Sequence, residues 1–510
     1  MIPDATRTAA ARVAADRLAD SPPRPWLAFF GLTLCSALAA SLVAVTNGNL
    51  LIVPVACAAL LFLVLLVRRL EFGVYVLLAA ALLLDQFEVL GIPSAISSQA
   101  IRFYMNLNSS TGVGGLVFNP VEFLLVLLLA IWLVRAAISR EWYLHRIPNI
   151  GIAILFLMML VFFTAYGLLR PNGNWKAALW EIRSLYYLCA MYFLATQLIR
   201  TPRQVRICVW IVIVGLALRG LQGSWRYFIT LHRDLGKLRA ILGHEDSLFL
   251  VTGFVLLAAL FFLHYCGRER TVLLCALPFN LIAFIFNQRR VTFGVLMLCL
   301  ALVVALLPKA QLRLALRYVI PGVFLLAMYT MVFWNSTGTL ALPAQKIKSV
   351  FVQQEGTADE GSNEWRKMEL VNLKATVRAY PQGVGFGQKY LVLFPYPDIG
   401  AFFQLWEYIP HCAIYWIWCK TGFAGFAVFW LFFGVAIVQA VIDYRAMRDP
   451  YYKAVALTVM LFIVGQLIVS YYDLQLTYYR NMLYLGIAMA LGVVVRRLDS
   501  SAGSGEPHVQ

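Results

Sequence analysis

Thr421-Gly-Phe-Ala-Gly-Phe-Ala-Val-Phe-Trp-Leu-Phe-Phe-Gly-Val-Ala-Ile-Val-Gln-Ala-Val-Ile442 carries no charged residue. As a helix rising about 1.5 Å per residue it is long enough to cross a hydrocarbon core about 30 Å thick. Runs of the same kind lie near 26–46, 50–67, 72–93, 117–138, 150–169, 184–199, 205–222, 247–266, 271–288, 291–307, 318–335, 453–472 and 478–495. The chain of 510 residues is 61% hydrophobic and 13% charged. The pattern predicts an all-α polytopic membrane protein of about 12–14 transmembrane helices, the lower number applying if two runs are interfacial.

The net charge of +17 is explained by where the basic residues fall, and nucleic acid is not the expected partner. With the N-terminus cytoplasmic, successive inner turns carry Arg68 and Arg69; Arg135, Arg140 and Arg146; Arg200, Arg203 and Arg206; and Arg268 and Arg270. They continue with Lys309, Arg313 and Arg317; Arg445, Arg448 and Lys453; and Arg496 and Arg497. Basic inner turns are what orientation by positive charge requires. The predicted segments are a cytoplasmic tail over 1–25, helices over 26–335, a large external loop over 336–410, helices over 411–497 and a second cytoplasmic tail over 498–510. Cysteines such as Cys35, Cys57, Cys189 and Cys299 lie inside apolar runs without paired spacing, so neither disulfides nor a structural zinc site is expected.

Upstream of Thr421 the chain is polar. Residues 335–410 hold seven basic and seven acidic side chains and are too long for a passive connection, which predicts a folded lid. Gly361-Ser-Asn-Glu-Trp-Arg-Lys-Met-Glu369 opens an amphipathic helix that runs to Tyr380 and stops at Pro381-Gln-Gly-Val-Gly-Phe-Gly387. Arg366 and Glu369 stand three apart, on one helical face, either as a surface ion pair or with Glu369 aiming Arg366 at a phosphate. The turn holding Gly383 and Gly385 is either a tight corner or a source of backbone N–H groups for phosphate. His411 and Cys412 are followed after nine residues by Gly422-Phe-Ala-Gly425. The run from His411 is too long for one span, so His411–Lys420 reads as an external helical lead with His411 at the water–lipid boundary.

The outer side also holds arginines that the charge rule does not expect: Arg183, Arg219, Arg226, Arg233, Arg239, Arg289, Arg290, Arg366 and Arg480, together with Lys237. Arg289 and Arg290 lie between two apolar runs with almost no loop. Such residues snorkel to lipid phosphate or meet an anion or a carboxylate, and the apparent scarcity of acidic partners across the cluster weighs against scattered snorkelling. Asp85, within an apolar run, is the counter-example and the best support for a carrier.

Taken together, Arg366, the Pro-x-x-Gly-x-Gly turn from Pro381, and the His411 to Gly425 spacing resemble the ligase and polymerase superfamily of O-antigen and exopolysaccharide synthesis. Cys412 departs from the usual residue after the histidine. Arg290 is the nearest match to an arginine that begins a helix in related ligases, although Gly294 replaces the leucine expected there, and Arg239 matches a less specific piece. The resemblance implies a GT-C-like fold in the bacterial inner membrane with an active site on the periplasmic side. It further implies an undecaprenyl-diphosphate-linked glycan donor, with transfer either to lipid A-core (ligase) or to a second lipid-linked repeat (polymerase).

Diphosphate is already a good leaving group, so the chemistry needs cations for the departing phosphates and a base for the acceptor hydroxyl. His145 and His264 fall on the inner side and His508 in the tail, which leaves His232, His244 and His411 outside. Only His411 precedes a helix within the signature, so it is the expected base. Arg290, Arg289, Arg366 and Arg239 are the expected donor-binding residues. Glu369, Gly383, Gly385, Gly422 and Gly425 are expected in support, with no metal or other cofactor and inversion at the anomeric carbon. A transporter of polysaccharide or lipid-linked glycan is the alternative of another class.

Overall fold

The computed structural model describes residues 33, 52–87, 101–108, 117–139, 144–235, 238, 240–336, 338–352, 358–395 and 403–504. The expected tail 1–25, the span near 26–46 and Arg239 lie outside them. Two compact units separate at Arg69. The first contributes helix α1 (Ile52–Arg68), an apolar helix. The second unit, from Leu70 onward, holds the other helices.

Among the described residues this unit is helical, without strands: α2 (Glu71–Leu83), α3 (Pro120–Ser139), α4 (Ile150–Leu169), α5 (Trp175–Leu198), α6 (Pro202–Trp225), α7 (Asp246–Phe262) and α8 (Arg268–Phe286). Then come α9 (Arg290–Leu306), α10 (Lys309–Val332), α11 (Leu342–Phe351), α12 (Ala358–Ala379), α13 (Ala413–Ala446), α14 (Pro450–Tyr472) and α15 (Tyr479–Ser504). Among the described residues eight helices are long and apolar enough to cross a membrane: α3, α4, α6, α8, α10, α13, α14 and α15. The chain is a multi-pass helical membrane protein. Three expected spans appear as the shorter apolar helices α2, α7 and α9. The one expected at 184–199 falls within α5, whose N-terminal half carries Lys176, Glu181 and Arg183.

The helix starts are legible locally. Asn174 caps α5 by accepting from the N–H groups of Lys176 and Ala177 at 3.0 and 3.2 Å. Thr201 and Gln204 form a capping box ahead of α6, with Pro202 at its first position. Asp449 accepts from Tyr451 N and Tyr452 N at the start of α14. In α14 and α15, 83% and 78% of the apolar window is buried against 6% in α10, so the first two are the centre of the bundle and α10 its rim. Helix α15 packs on α5 and α2, α14 on α13 and α7, α6 on α8 and α2, and α12 on α13.

The bundle has two unlike ends. At one, Arg496 faces Asp443, Arg497 donates to Ile199 O, and Tyr444 donates to Leu306 O. That end gathers the basic turns after α5, α7, α9 and α13. The other gathers the loops before α7, α9, α13 and α15, and every expected site residue that is described.

Here the expectation that outer arginines lack carboxylates is corrected. Arg219 meets Asp85 at 2.7 Å and Asp246 at 3.4 Å. Arg480 meets Glu245 at 2.6 Å and Asp246 at 2.7 Å, Arg226 reaches Asp85 at 3.7 Å, and Arg183 meets Glu122 at 2.9 Å. Arg480 and Arg219 also donate to the carbonyls of Ala81 and Leu82 at the end of α2. The partners come from helices far apart in sequence. Asp85 is thereby a member of a buried charge cluster, which removes the main support for a carrier.

Candidate functional site

The site is built on α12 and the start of α13. Helix α12 turns a polar stripe inward: Glu369, Asn372 and Thr376 are buried together with Leu373. Asn372 accepts from Leu393 N at 3.0 Å and Phe394 N at 2.9 Å, and donates to Phe394 O at 3.0 Å. Thr376 accepts from Leu391 N at 2.9 Å. The stripe therefore satisfies an irregular segment that has no ladder of its own.

Pro381–Gly387 is the joint between α12 and α13. Gly422 breaks α13 with φ 59° and ψ −166°, and the broken turn is completed from outside. Val384 N and Gly385 N donate to the carbonyls of Cys419 and Lys420, each at 2.9 Å, while Phe423 N donates to Pro381 O at 3.1 Å. Gly383 N donates to Tyr380 O and Phe386 N to Phe163 O. Gly387 N donates to Glu181 at 2.5 Å. Every backbone N–H from 383 to 387 thus has a protein acceptor, which decides for the corner and against the phosphate cradle. Gly385 has φ +86°, and a Cβ there would come within 2.4 Å of Gly167 Cα. Lys420 and Glu181, both fully buried, pair at 2.6 Å behind the joint, and Trp416 Nε1 donates to the same carboxylate at 3.0 Å.

Glu369 pairs with His411. One carboxylate oxygen accepts from His411 N at 2.9 Å and the other lies 3.2 Å from Nδ1. An ionised carboxylate only accepts, so Nδ1 carries the proton and Nε2 is left with the lone pair. Burial pulls the imidazole pKa down, but the Glu369 hydrogen bond and charge, helped by Asp473, outweigh it and raise the pKa above the ordinary value. The sequence places Glu369 beside Arg366; the structure brings it to the histidine instead. Burial pushes the neighbouring Cys412 thiol up to about 11, so it is a neutral side chain and not a thiolate.

Arg366 and Arg289 complete the group. Each has a buried Nε without a hydrogen-bond partner. Arg289 precedes α9, and the charged or titratable groups around it are Asp473, Tyr478, Glu245 and Arg366. Arg366 acts on the charge of both Arg289 and His411. Among the described residues no carboxylate lies within ion-pair distance of either guanidinium, so the two charges can receive an added anion. Arg290 begins α9 one residue on.

Sequence reasoning missed Asp473. It accepts from Gln475 Nε2 at 3.1 Å and lies 3.2 Å from His244 Nδ1. Although burial raises its pKa, His244, Arg289 and Gln475 hold it below the usual carboxylate range. The signal available was a lone acid in the short turn Tyr472-Asp-Leu-Gln-Leu-Thr477 between two apolar runs. Among the described residues no group of three or more His, Cys, Asp or Glu side chains is arranged to hold a metal ion. In comparisons with known proteins, no family model and no curated protein sequence matches this chain.

Proposed function

We propose that this chain is a membrane-embedded glycosyltransferase of the O-antigen ligase type. In this reading it has a GT-C-like arrangement of 12–14 helices in a bacterial inner membrane, with the His411 end facing the periplasm. It moves a glycan from undecaprenyl diphosphate to a hydroxyl of lipid A-core. The observation that carries the reading is the His411–Glu369 pair beside two arginines whose buried Nε atoms lack partners, at one end of an apolar helical bundle.

The chemistry follows from those groups. Arg289 and Arg366 take the diphosphate, whose bond to the anomeric carbon breaks with the electron pair leaving on phosphate oxygen. The acceptor oxygen attacks from the opposite face, inverting the centre, as its proton passes to His411 Nε2. Glu369 keeps the ring in the tautomer that accepts there and stabilises the imidazolium that forms. The scheme requires no metal.

A polymerase that joins lipid-linked repeats would use the same groups and differs only in the acceptor. Purified protein given lipid-linked glycan and offered either lipid A-core or a second lipid-linked repeat tests both. Product on lipid A-core supports the ligase, and chain extension alone replaces it with the polymerase. No transfer to either acceptor, with vesicle uptake of lipid-linked glycan, would move the protein to the transporter class.

A further inference from the structure

A second histidine stands in the cluster with the same construction as the first. His244 Nδ1 lies 3.2 Å from Asp473, as His411 Nδ1 lies 3.2 Å from Glu369. Asp473 acts on the charge of both Arg289 and His411, so the second pair belongs to the same neighbourhood. The His244 ring also meets Tyr478 edge-on, with centroids 6.5 Å apart.

The backbone carrying His244 is held more firmly than a half-exposed loop side chain needs. Asn287, fully buried, accepts from Leu242 N at 2.9 Å and donates to Gly243 O at 3.0 Å and to Ser247 Oγ at 2.7 Å. The next two residues, Glu245 and Asp246, are clamped by Arg480 at 2.6 and 2.7 Å. Asn287 itself stands two residues before Arg289, so the amide that pins the backbone beside His244 lies in the same short turn as the arginine. With all of this, the His244 side chain remains 44% exposed. A pinned backbone beneath an exposed ring, which shares Asp473 with a guanidinium whose Nε is orphaned, is the layout of a ligand contact rather than of packing.

We propose that His244 is a second anion-contacting residue, donating through Nε2 to a phosphate oxygen of the ligand that Arg289 and Arg366 hold. This rests on the diphosphate reading given above and adds a residue to it. With Asp473 at Nδ1 and an anion at Nε2, an acceptor faces each ring nitrogen, and imidazole has a donor position on both sides. The ligand class is a diphosphate ester, a diester in the glycan donor and a monoester in the polyprenyl diphosphate that leaves, with His411 facing the acceptor and His244 the leaving group.

Purified protein in neutral phosphatidylcholine nanodiscs, titrated with inorganic pyrophosphate by calorimetry, tests the assignment without requiring turnover. Wild-type protein should bind, and His244→Ala should weaken binding by roughly 10- to 100-fold, the range of one hydrogen bond to a charged group. Asp473→Asn should weaken it in the same direction, and thermal unfolding of both variants should confirm that they fold. Loss of binding in Arg289→Ala with wild-type affinity in His244→Ala would overturn the inference and leave the diphosphate reading standing. Absence of binding in the wild type would remove that reading and the inference with it. A polyprenyl diphosphate should displace pyrophosphate, whereas equal displacement by phosphatidylglycerol would make the cluster a general headgroup site and overturn the assignment.

Discussion

Glu369 holds His411 at two points, its backbone N–H at 2.9 Å and its Nδ1 at 3.2 Å, across 42 residues of sequence. The double contact fixes both the start of α13 and the orientation of the ring. If His411 is the base it must be neutral to act, and its pKa is raised, so activity should climb with pH through a value above the ordinary imidazole pKa. Glu369→Gln should move that climb to lower pH and reduce the maximal rate. Glu369→Ala should lower kcat/KM by about 10²–10⁴-fold, as expected for a base no longer positioned. A pH–rate profile of Glu369→Gln identical to wild type would separate the pair from the chemistry.

The same pair has a pH signature in stability. A raised folded-state pKa stabilises the fold fully below the unfolded imidazole pKa, and the contribution is lost as pH rises through the raised value. Wild-type protein should therefore unfold at a higher temperature than Glu369→Gln at pH 5.5, with the gap narrowing at pH 8.5. The check is thermal unfolding of both proteins in detergent at the two pH values.

Arg289→Lys and Arg366→Lys keep the charge but lose the planar fork of donors, so each should lose most transfer activity and raise the donor KM, with alanine worse. Near-normal kinetics in the lysine variants would reduce both residues to general electrostatics.

Arg480 should matter for folding and not for transport. It is fully buried against Glu245 and Asp246, and Arg480→Ala leaves buried carboxylates short of a partner, costing about 3–5 kcal/mol. Yield and unfolding temperature should fall together. Stable protein with a selective loss of glycan movement across vesicles would return the cluster to the carrier hypothesis.

Gly385→Ala should destabilise by more than about 2 kcal/mol, because it adds a close contact to a left-handed backbone. Gly434→Ala, with nothing within 4 Å of the added methyl, should be tolerated. Equal unfolding temperatures for the two variants would contradict the joint described at Gly422.

The apolar runs made the helical membrane fold legible, because span length follows from bilayer thickness and needs no knowledge of neighbours. The spacing to Gly422 and Gly425 singled out His411 as a candidate. Its partner was not legible. Glu369 looks, locally, like the neighbour of Arg366 on α12, and only the packing of α12 on α13 turns it to the histidine. The same limit hid the carboxylate partners of Arg219 and Arg480, which sit just after α2 and around the start of α7, and it hid Asp473, which no motif marks, as the partner of His244. The role of Gly422 was equally tertiary. A glycine within an apolar run reads as helix, and its φ of 59° makes sense only with Pro381–Gly387 supplying the missing hydrogen bonds.

The most direct test is transfer from polyprenyl-diphosphate-linked glycan by purified wild-type protein, His411→Ala and His411→Gln, with donor binding measured alongside. Both variants should bind donor nearly as well as wild type while transfer falls by about 10²–10⁴-fold, since glutamine can hydrogen-bond but cannot take the proton. Transfer by His411→Gln at the wild-type rate, or no transfer by the wild type to either acceptor, would contradict the account.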